Sequence, residues 1–304
     1  MRFLFALVLA MGCLAAPAAA RDNPARDLTR TGIPGAVVLT PDGVHAAGNV
    51  RTTDRFRVGS VTKTFVSAVV LQLVAERRLS LDEPVPEAGG IPLRRLLNHT
   101  SGIYNHSEDP RTFEDGLLKR WKPQELVAIS REHPPYFAPG AGYHYSNTNY
   151  VILGLVVERV TGHSLERELE RRVLRGLRDT AYEEGPRVRR LAPGPRQNTS
   201  WAGASGALVS TARDLDRFYR ALLRSPLAAT MQTLDPVAGP YGLGLFKVQA
   251  SCGWFWGHNG EVPGYLAHAY TDGKRSVVVL VTGNERTERQ DAAINRALDE
   301  ALCS

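Results

Sequence analysis

Lysine is scarce in this chain, and so are cysteine and methionine. Of 37 lysine and arginine residues only 5 are lysine, and there are 3 cysteines and 3 methionines. Arginine keeps its proton, whereas a buried, crowded lysine can release it. A lysine placed in a polar motif therefore suggests that titration of its amine matters. The chain has no Cys-x-x-Cys and no His-Glu-x-x-His, so neither a metal nor another cofactor is expected. It lacks the Gly-x-Ser-x-Gly elbow of one large hydrolase class, and no acidic pair stands out for acid/base work. After the N-terminal stretch no apolar run is long enough to span a bilayer, so no stable membrane insertion is expected. The net charge is +6. Its basic runs, Arg167 to Arg178 and Arg187 to Arg190, alternate with glutamate or sit beside proline. They read as solvated faces and loops, with no nucleic-acid partner. There is no internal repeat.

A chain of 304 residues is long enough for one large domain or two modest ones with a real core. Residues 1–20 read as a secretory signal: Arg2, the apolar run Phe3 to Leu9, then Ala18, Ala19 and Ala20 before Arg21. The mature protein is expected to be secreted, in the bacterial cell envelope or outside it. Leu9 to Cys13 is a weak lipobox match, with Ala10 where leucine is usual, and would make the protein a lipoprotein if used. If Cys13 leaves with the leader, Cys252 and Cys303 remain as an even pair. They would either be bridged, which export permits, or stay as two free thiols.

The ends of the chain read as strands and the middle as helices. Gly35–Thr40 and Val44–Val50 form a hairpin about Pro41-Asp42-Gly43. Further strands are predicted at Gly242–Lys247, Gly253–Gly257, Tyr265–Tyr270 and Ser276–Thr282. Arg21–Thr31 reads as a poorly ordered lead-in. An amphipathic helix is predicted over Val61–Arg77, with others at Ile91–Asn98, Pro123–His133, Tyr150–Val160, Ser164–Leu174, from Thr211 to Leu223, and Asp291–Leu302. The economical architecture is α/β: an antiparallel sheet from residues 21–80 and 201–304, flanked by the Val61 helix and the last helix. A mostly helical part, residues 81–200, is inserted into it.

Chemistry gathers in three places. Ser60 precedes the Val61 helix, and Lys63 lies one turn on, on the same face. That spacing suits a nucleophile and its base, and free N–H groups at the helix end suit a developing oxyanion. Alone, the pattern is equally an N-cap serine beside a chance lysine. Gly142 to Tyr150 carries hydroxyls and amides, among them Tyr145 and Asn147. Gly257 to Tyr265 is polar and glycine-rich, with His258, Asn259, Gly260 and Glu261. Each is also a plausible ordinary turn, and His99 and His144 read as structural.

Together the three segments resemble the serine penicillin-recognising family, in particular secreted D-alanyl-D-alanine carboxypeptidases and class C β-lactamases. Ser60-Val61-Thr62-Lys63 looks like the first motif of that family, Tyr145-Ser146-Asn147 like its Tyr-x-Asn motif, and His258-Asn259-Gly260 like the His-Thr-Gly variant of its third. Leu96 to Gly102 and Ser210 to Leu215 also match family wording, and the order fits from Thr31 to Cys303. The resemblance implies a β-lactamase/transpeptidase-like fold and a Cys252–Cys303 bridge. It also implies Ser60 as nucleophile, Lys63 and Tyr145 as the proton-transfer pair, and the backbone N–H groups of Ser60 and Glu261 around the oxyanion. Asn147, Trp201, His258, Asn259 and Gly260 would contact substrate. The expected protein is a monomeric D-alanyl-D-alanine carboxypeptidase acting on cell-wall peptides, with β-lactams as covalent ligands. The alternatives are an esterase, D-amino-peptide hydrolase or β-lactamase taking a small acyl substrate, or a non-catalytic penicillin-binding protein. Two departures bear on that choice. Asn259 and Glu261 stand where the family has hydroxyl residues that help bind a substrate carboxylate, and a glutamate side chain there would repel one.

Overall fold

The computed structural model describes residues 23–283 and 286–304. The expected leader and Cys13 lie outside the described residues.

Helix α1 (Pro24–Thr29) is followed by the hairpin β1 (Gly35–Thr40) and β2 (Gly43–Gly48). Strand β3 (Phe56–Arg57) leads through one tight turn, Gly59–Val61, into α2 (Thr62–Ala75). The middle of the chain holds the short strands β4 (Pro84–Val85) and β5 (Ile91–Pro92), then helices α3 (Leu93–Leu97), α4 (Arg111–Glu114), α5 (Pro123–Arg131), α6 (Asn147–Thr161) and α7 (Leu165–Arg172). Strands β6 (Ala181–Tyr182) and β7 (Leu208–Ser210) join β3 in a small sheet, ordered β3-β7-β6. Helices α8 (Ala212–Leu223) and α9 (Leu227–Met231) precede β8 (Phe246–Ala250), β9 (Gly253–Val262), β10 (Tyr265–Thr271) and β11 (Ser276–Thr282), and α10 (Glu288–Cys303) closes the chain.

Both ends of the chain build one six-stranded sheet, ordered β2-β1-β11-β10-β9-β8. Neighbouring strands are antiparallel throughout. Strand alternation divides its side chains between two cores. Val37, Leu39, Val278 and Leu280 join the core that includes α2, α6 and α8. Ala36, Val38, Val277, Val279 and Val281 face the core built with α1 and α10. A Cys252–Cys303 disulfide ties the start of β9 to the end of α10.

Four local expectations are corrected. Residues 24–29 of the presumed loose lead-in form α1, because the Asn23 side chain accepts the Ala25 N–H at 3.0 Å and Ala25 and Leu28 are buried. Helix α2 is not amphipathic: Thr62 to Leu71 are all buried. Its polar groups bond to neighbours instead of water, Thr64 Oγ1 to the Gly244 carbonyl (2.8 Å) and Ser67 Oγ to Tyr150 Oη (3.0 Å). The helix laid directly on the sheet's inner face is α8, which contacts β1, β10 and β11, and Phe218 on it stacks on Phe65 of α2. Ile91 and Pro92 belong to β5, leaving α3 only Leu93–Leu97.

Candidate active site

Strand β3 and the Gly59–Val61 turn set Ser60 at the foot of α2, with the turn held to β7 by Val58 N–H donating to the Leu208 carbonyl (3.0 Å). Strand β9 passes the same turn closely. A β-carbon on Gly260 would lie 2.0 Å from the Val58 carbonyl oxygen and 2.6 Å from Ser60 N, and one on Gly59 would lie 2.6 Å from Glu261 N. Glycine at both positions lets the backbones of Ser60 and Glu261 come together.

Lys63 is fully buried. Its Nζ donates to Asn147 Oδ1 at 2.7 Å and to the Ser205 carbonyl at 2.9 Å, and lies 2.9 Å from Ser60 Oγ, within hydrogen-bond distance. All three partners are neutral, and burial pushes the amine well below the ordinary lysine range. The nitrogen also lies 4.7 Å from the centre of the Tyr145 ring. Burial pushes the Tyr145 phenol well above its usual value, against a smaller downward pull from the Ser60 hydroxyl. Its oxygen is enclosed and makes no hydrogen bond of ordinary geometry. The site thus pairs an amine inclined to be neutral with a phenol that keeps its proton.

Asn147 is placed by the first turn of α6, which starts one turn earlier than its apolar pattern predicts. Asn105 explains the early start: its Oδ1 accepts the Asn147 N–H at 3.0 Å. The Asn147 amide also donates from Nδ2 to Ser107 Oγ at 2.8 Å. Trp201 is buried, its carbonyl accepting from His106 Nε2 (2.8 Å) and its ring edge-on to Phe113 at 4.9 Å. The indole Nε1–H has no partner among the described residues.

On β9, alternation separates the third motif. His258 and Gly260 face the Ser60 turn. Asn259 and Glu261 pair across the ladder with His268 and Leu266 and share their face. His258 is held near a pKa of about 3 by burial and then by the Lys63 amine, so its ring is neutral. Its Nδ1–H donates to the Asn259 carbonyl, and its Nε2 accepts from Tyr241 Oη at 3.0 Å. The Asn259 side chain is exposed. The Glu261 carboxylate is taken by Arg286, with Nη1 and Nη2 at 3.1 and 3.0 Å, and Arg286 Nε reaches Asp291 at 2.9 Å.

The structure therefore brings Ser60, Lys63, Tyr145, Asn147, Gly260 and the Glu261 backbone together around the Ser60 turn, from segments far apart in sequence. Sequence reasoning missed Ser205, Asn105, Ser107, Tyr241 and Arg286. Ser205 acts through its carbonyl, which no sequence pattern marks, and Arg286 is one of 32 arginines.

This arrangement sets a serine hydroxyl beside a buried amine whose charged form burial disfavours, a pair with the chemistry for proton transfer. A family model described as Beta-lactamase matches residues 20–302. The solved D-stereospecific amidohydrolase from Streptomyces sp. is 33% identical, with 93% of this chain and 99% of that one covered and a TM-score of 0.84. The D-amino acid amidase from Ochrobactrum anthropi SV3 is 25% identical, with 91% and 98% covered and a TM-score of 0.80. Among curated proteins, the putative penicillin-binding protein PbpX of Bacillus subtilis (strain 168) is 23% identical over 269 residues, covering 79% of this chain and 65% of that protein. The chain spans between 34% and 65% of the length of the first curated relatives it matches. Match and fold both run through nearly all of the described residues, and the chain belongs to the Beta-lactamase family of serine hydrolases.

Proposed function

We propose that the protein is an exported amidohydrolase that cleaves D-configured amino-acid amides, short peptides or esters through an acyl-enzyme on Ser60. The carrying observation is the Lys63 amine: fully buried, without a carboxylate partner among the described residues, and with its Nζ 2.9 Å from Ser60 Oγ. An amine in that setting favours its neutral form and can accept the serine proton.

In this reading Ser60 Oγ bonds to the substrate carbonyl carbon as Lys63 takes its proton. The carbonyl oxygen becomes an oxyanion between the N–H groups of Ser60 and Glu261. Tyr145 passes its proton to the leaving nitrogen as the carbon–nitrogen bond breaks, and regains one from Lys63. Water then resolves the ester by the reverse route. Asn147 orients the substrate amide, while Trp201 and Phe113 offer the acyl group an aromatic wall.

The choice among leaving groups rests on Arg286. A carboxypeptidase for D-alanyl-D-alanine peptides needs a receptor for the terminal carboxylate. The guanidinium beside β9 is already engaged by Glu261 and Asp291, which favours neutral amides and esters. The 33% identical amidohydrolase supports the same substrate class. The Cys252–Cys303 disulfide supports an exported location, because such bonds persist in oxidising compartments.

The test is steady-state hydrolysis of D- and L-phenylalaninamide, a p-nitrophenyl ester and an acylated D-alanyl-D-alanine peptide. Mass spectrometry would locate the trapped acyl group. The D-amide and the ester should be cleaved and the adduct should sit on Ser60. Preferential release of D-alanine from the peptide would return the reading to a carboxypeptidase, and activity surviving in Ser60→Ala would remove the mechanism.

A further inference from the structure

His99 makes no hydrogen bond to Ser60 or Lys63, yet it grips the chain on both sides of Tyr145. Its backbone carbonyl accepts the His144 N–H at 3.1 Å, and its ring Nδ1 accepts the Ser146 N–H at 3.1 Å. The Asn149 amide lies 3.3 Å from the same Nδ1. Between these two anchors the rings of His99 and Tyr145 meet at 4.2 Å, tilted by 32°. Tyr241 and Tyr150 enclose the imidazole from other sides, at 4.8 and 5.4 Å.

Two features are costly for a residue that only fills space. His99 has a backbone φ of +59°, a region that side chains with a β-carbon avoid. Because Nδ1 accepts, the proton of the neutral ring sits on Nε2, and that N–H is enclosed without a hydrogen-bond partner. Burial and then the Lys63 amine keep the ring neutral. Glycine would relieve the backbone, and an apolar ring would remove the orphan donor. Histidine alone combines a flat ring to pack on the phenol with an acceptor at the δ position.

We propose that His99 is a positioning residue, holding the phenol of Tyr145 at Lys63 and Ser60 so that its proton reaches the leaving group. This rests on the acyl-enzyme reading above. A displaced phenol costs most where the leaving atom must be protonated. An amide nitrogen departs only as an amine, while p-nitrophenolate departs without a proton. Loss of His99 therefore separates amide from ester hydrolysis, and simple loosening of the fold does not.

The experiment compares His99→Gly and His99→Asn on a D-amino-acid amide and a p-nitrophenyl ester, with a thermal melt of each variant. Glycine accepts the positive φ and removes ring and acceptor together. Asparagine tolerates that φ and keeps an acceptor close to the place of Nδ1. His99→Gly should lower kcat on the amide by about 10²-fold and on the ester by roughly tenfold less, with KM for the amide little changed. His99→Asn, which keeps the acceptor and loses the ring, should recover part of the amide rate. If His99→Gly does not melt cooperatively, His99→Gln takes its place, since its longer amide overshoots the Ser146 N–H and should show a larger amide loss than asparagine. Amide and ester rates falling in parallel, a loss confined to KM, or an asparagine variant no better than glycine would overturn the inference while leaving the mechanism standing. A wild-type protein inactive on both substrates would overturn the acyl-enzyme reading and this inference with it.

Discussion

Glu261 sets its backbone against the Ser60 turn and gives its carboxylate to Arg286, two hydrogen bonds of 3.1 and 3.0 Å that turn the side chain away from Ser60. With Asp291 also bound to Arg286, two carboxylates surround one guanidinium, and the local balance beside β9 is negative. Glu261→Gln keeps the N–H and removes one of those charges. Acylation by a penicillin or by a carboxylate-terminated D-peptide should then rise about fivefold, the effect of about 1 kcal/mol of relieved repulsion at a partly exposed site. Adding Arg286→Ala should cancel the gain. An unchanged ratio of anionic to neutral substrate turnover in Glu261→Gln would show that the carboxylate has no say in selection.

Lys63 sets the pH dependence. Burial lowers its pKa, so the active neutral amine accumulates as pH rises through a value well below the ordinary lysine range. The kcat profile should show an acid limb there. His258 at about 3 and His106 at about 4 are already neutral at physiological pH and cannot supply it. The same shift makes stability rise with pH between the folded and unfolded pKa of Lys63, because in that window the unfolded chain binds the proton that the folded chain refuses. Lys63→Arg carries a charge that cannot be shed and should lose about 10²–10⁴ in kcat. A limb at the same pH in the residual activity of that variant would assign it to another group.

How much of this was legible in the sequence follows from what sequence can encode. Strand β11 was predicted to the residue, since Ser276 to Thr282 is an apolar run bounded by turn residues. The pair Ser60 and Lys63 was visible because helical spacing alone puts them together. Helix α2 was misjudged because burial on every side leaves no polar stripe to read. Strand β9 was cut short at Gly257 because His258 to Glu261 lacks β-rich side chains, and tertiary contact with the Ser60 turn, rather than propensity, keeps it extended. The contact of Ser205 with Lys63 joins residues 142 apart through a backbone carbonyl. The orientation of Glu261 depends on Arg286, whose role no motif announces.

Gly260 is where packing and chemistry meet most directly. A methyl group there would meet the Val58 carbonyl oxygen at 2.0 Å and Ser60 N at 2.6 Å. Both are backbone atoms and cannot swing aside, so β9 itself must back away from the nucleophile. Gly260→Ala should lose about 10²-fold in kcat and destabilise the fold by about 1–3 kcal/mol. Gly185→Ala is the control, since nothing lies within 4 Å of its missing β-carbon. Wild-type acylation rates in Gly260→Ala would mean that the approach of β9 to Ser60 is not what forms the oxyanion site.

The Cys252–Cys303 disulfide closes a span of 51 residues. The loop-closure model gives such a bridge about 4 kcal/mol, mostly by restricting the unfolded chain. The double variant Cys252→Ser/Cys303→Ser should therefore unfold at clearly lower urea, with kcat close to wild type at low temperature. The reason for expecting intact chemistry is local. Cys252 lies at the opposite end of β9 from the cleft, and the stretch His258 to Glu261 is held independently by Tyr241, by the ladder to β10 and by the Ser60 turn. A fall in kcat at constant stability would show instead that tension from α10 reaches the oxyanion site along the strand.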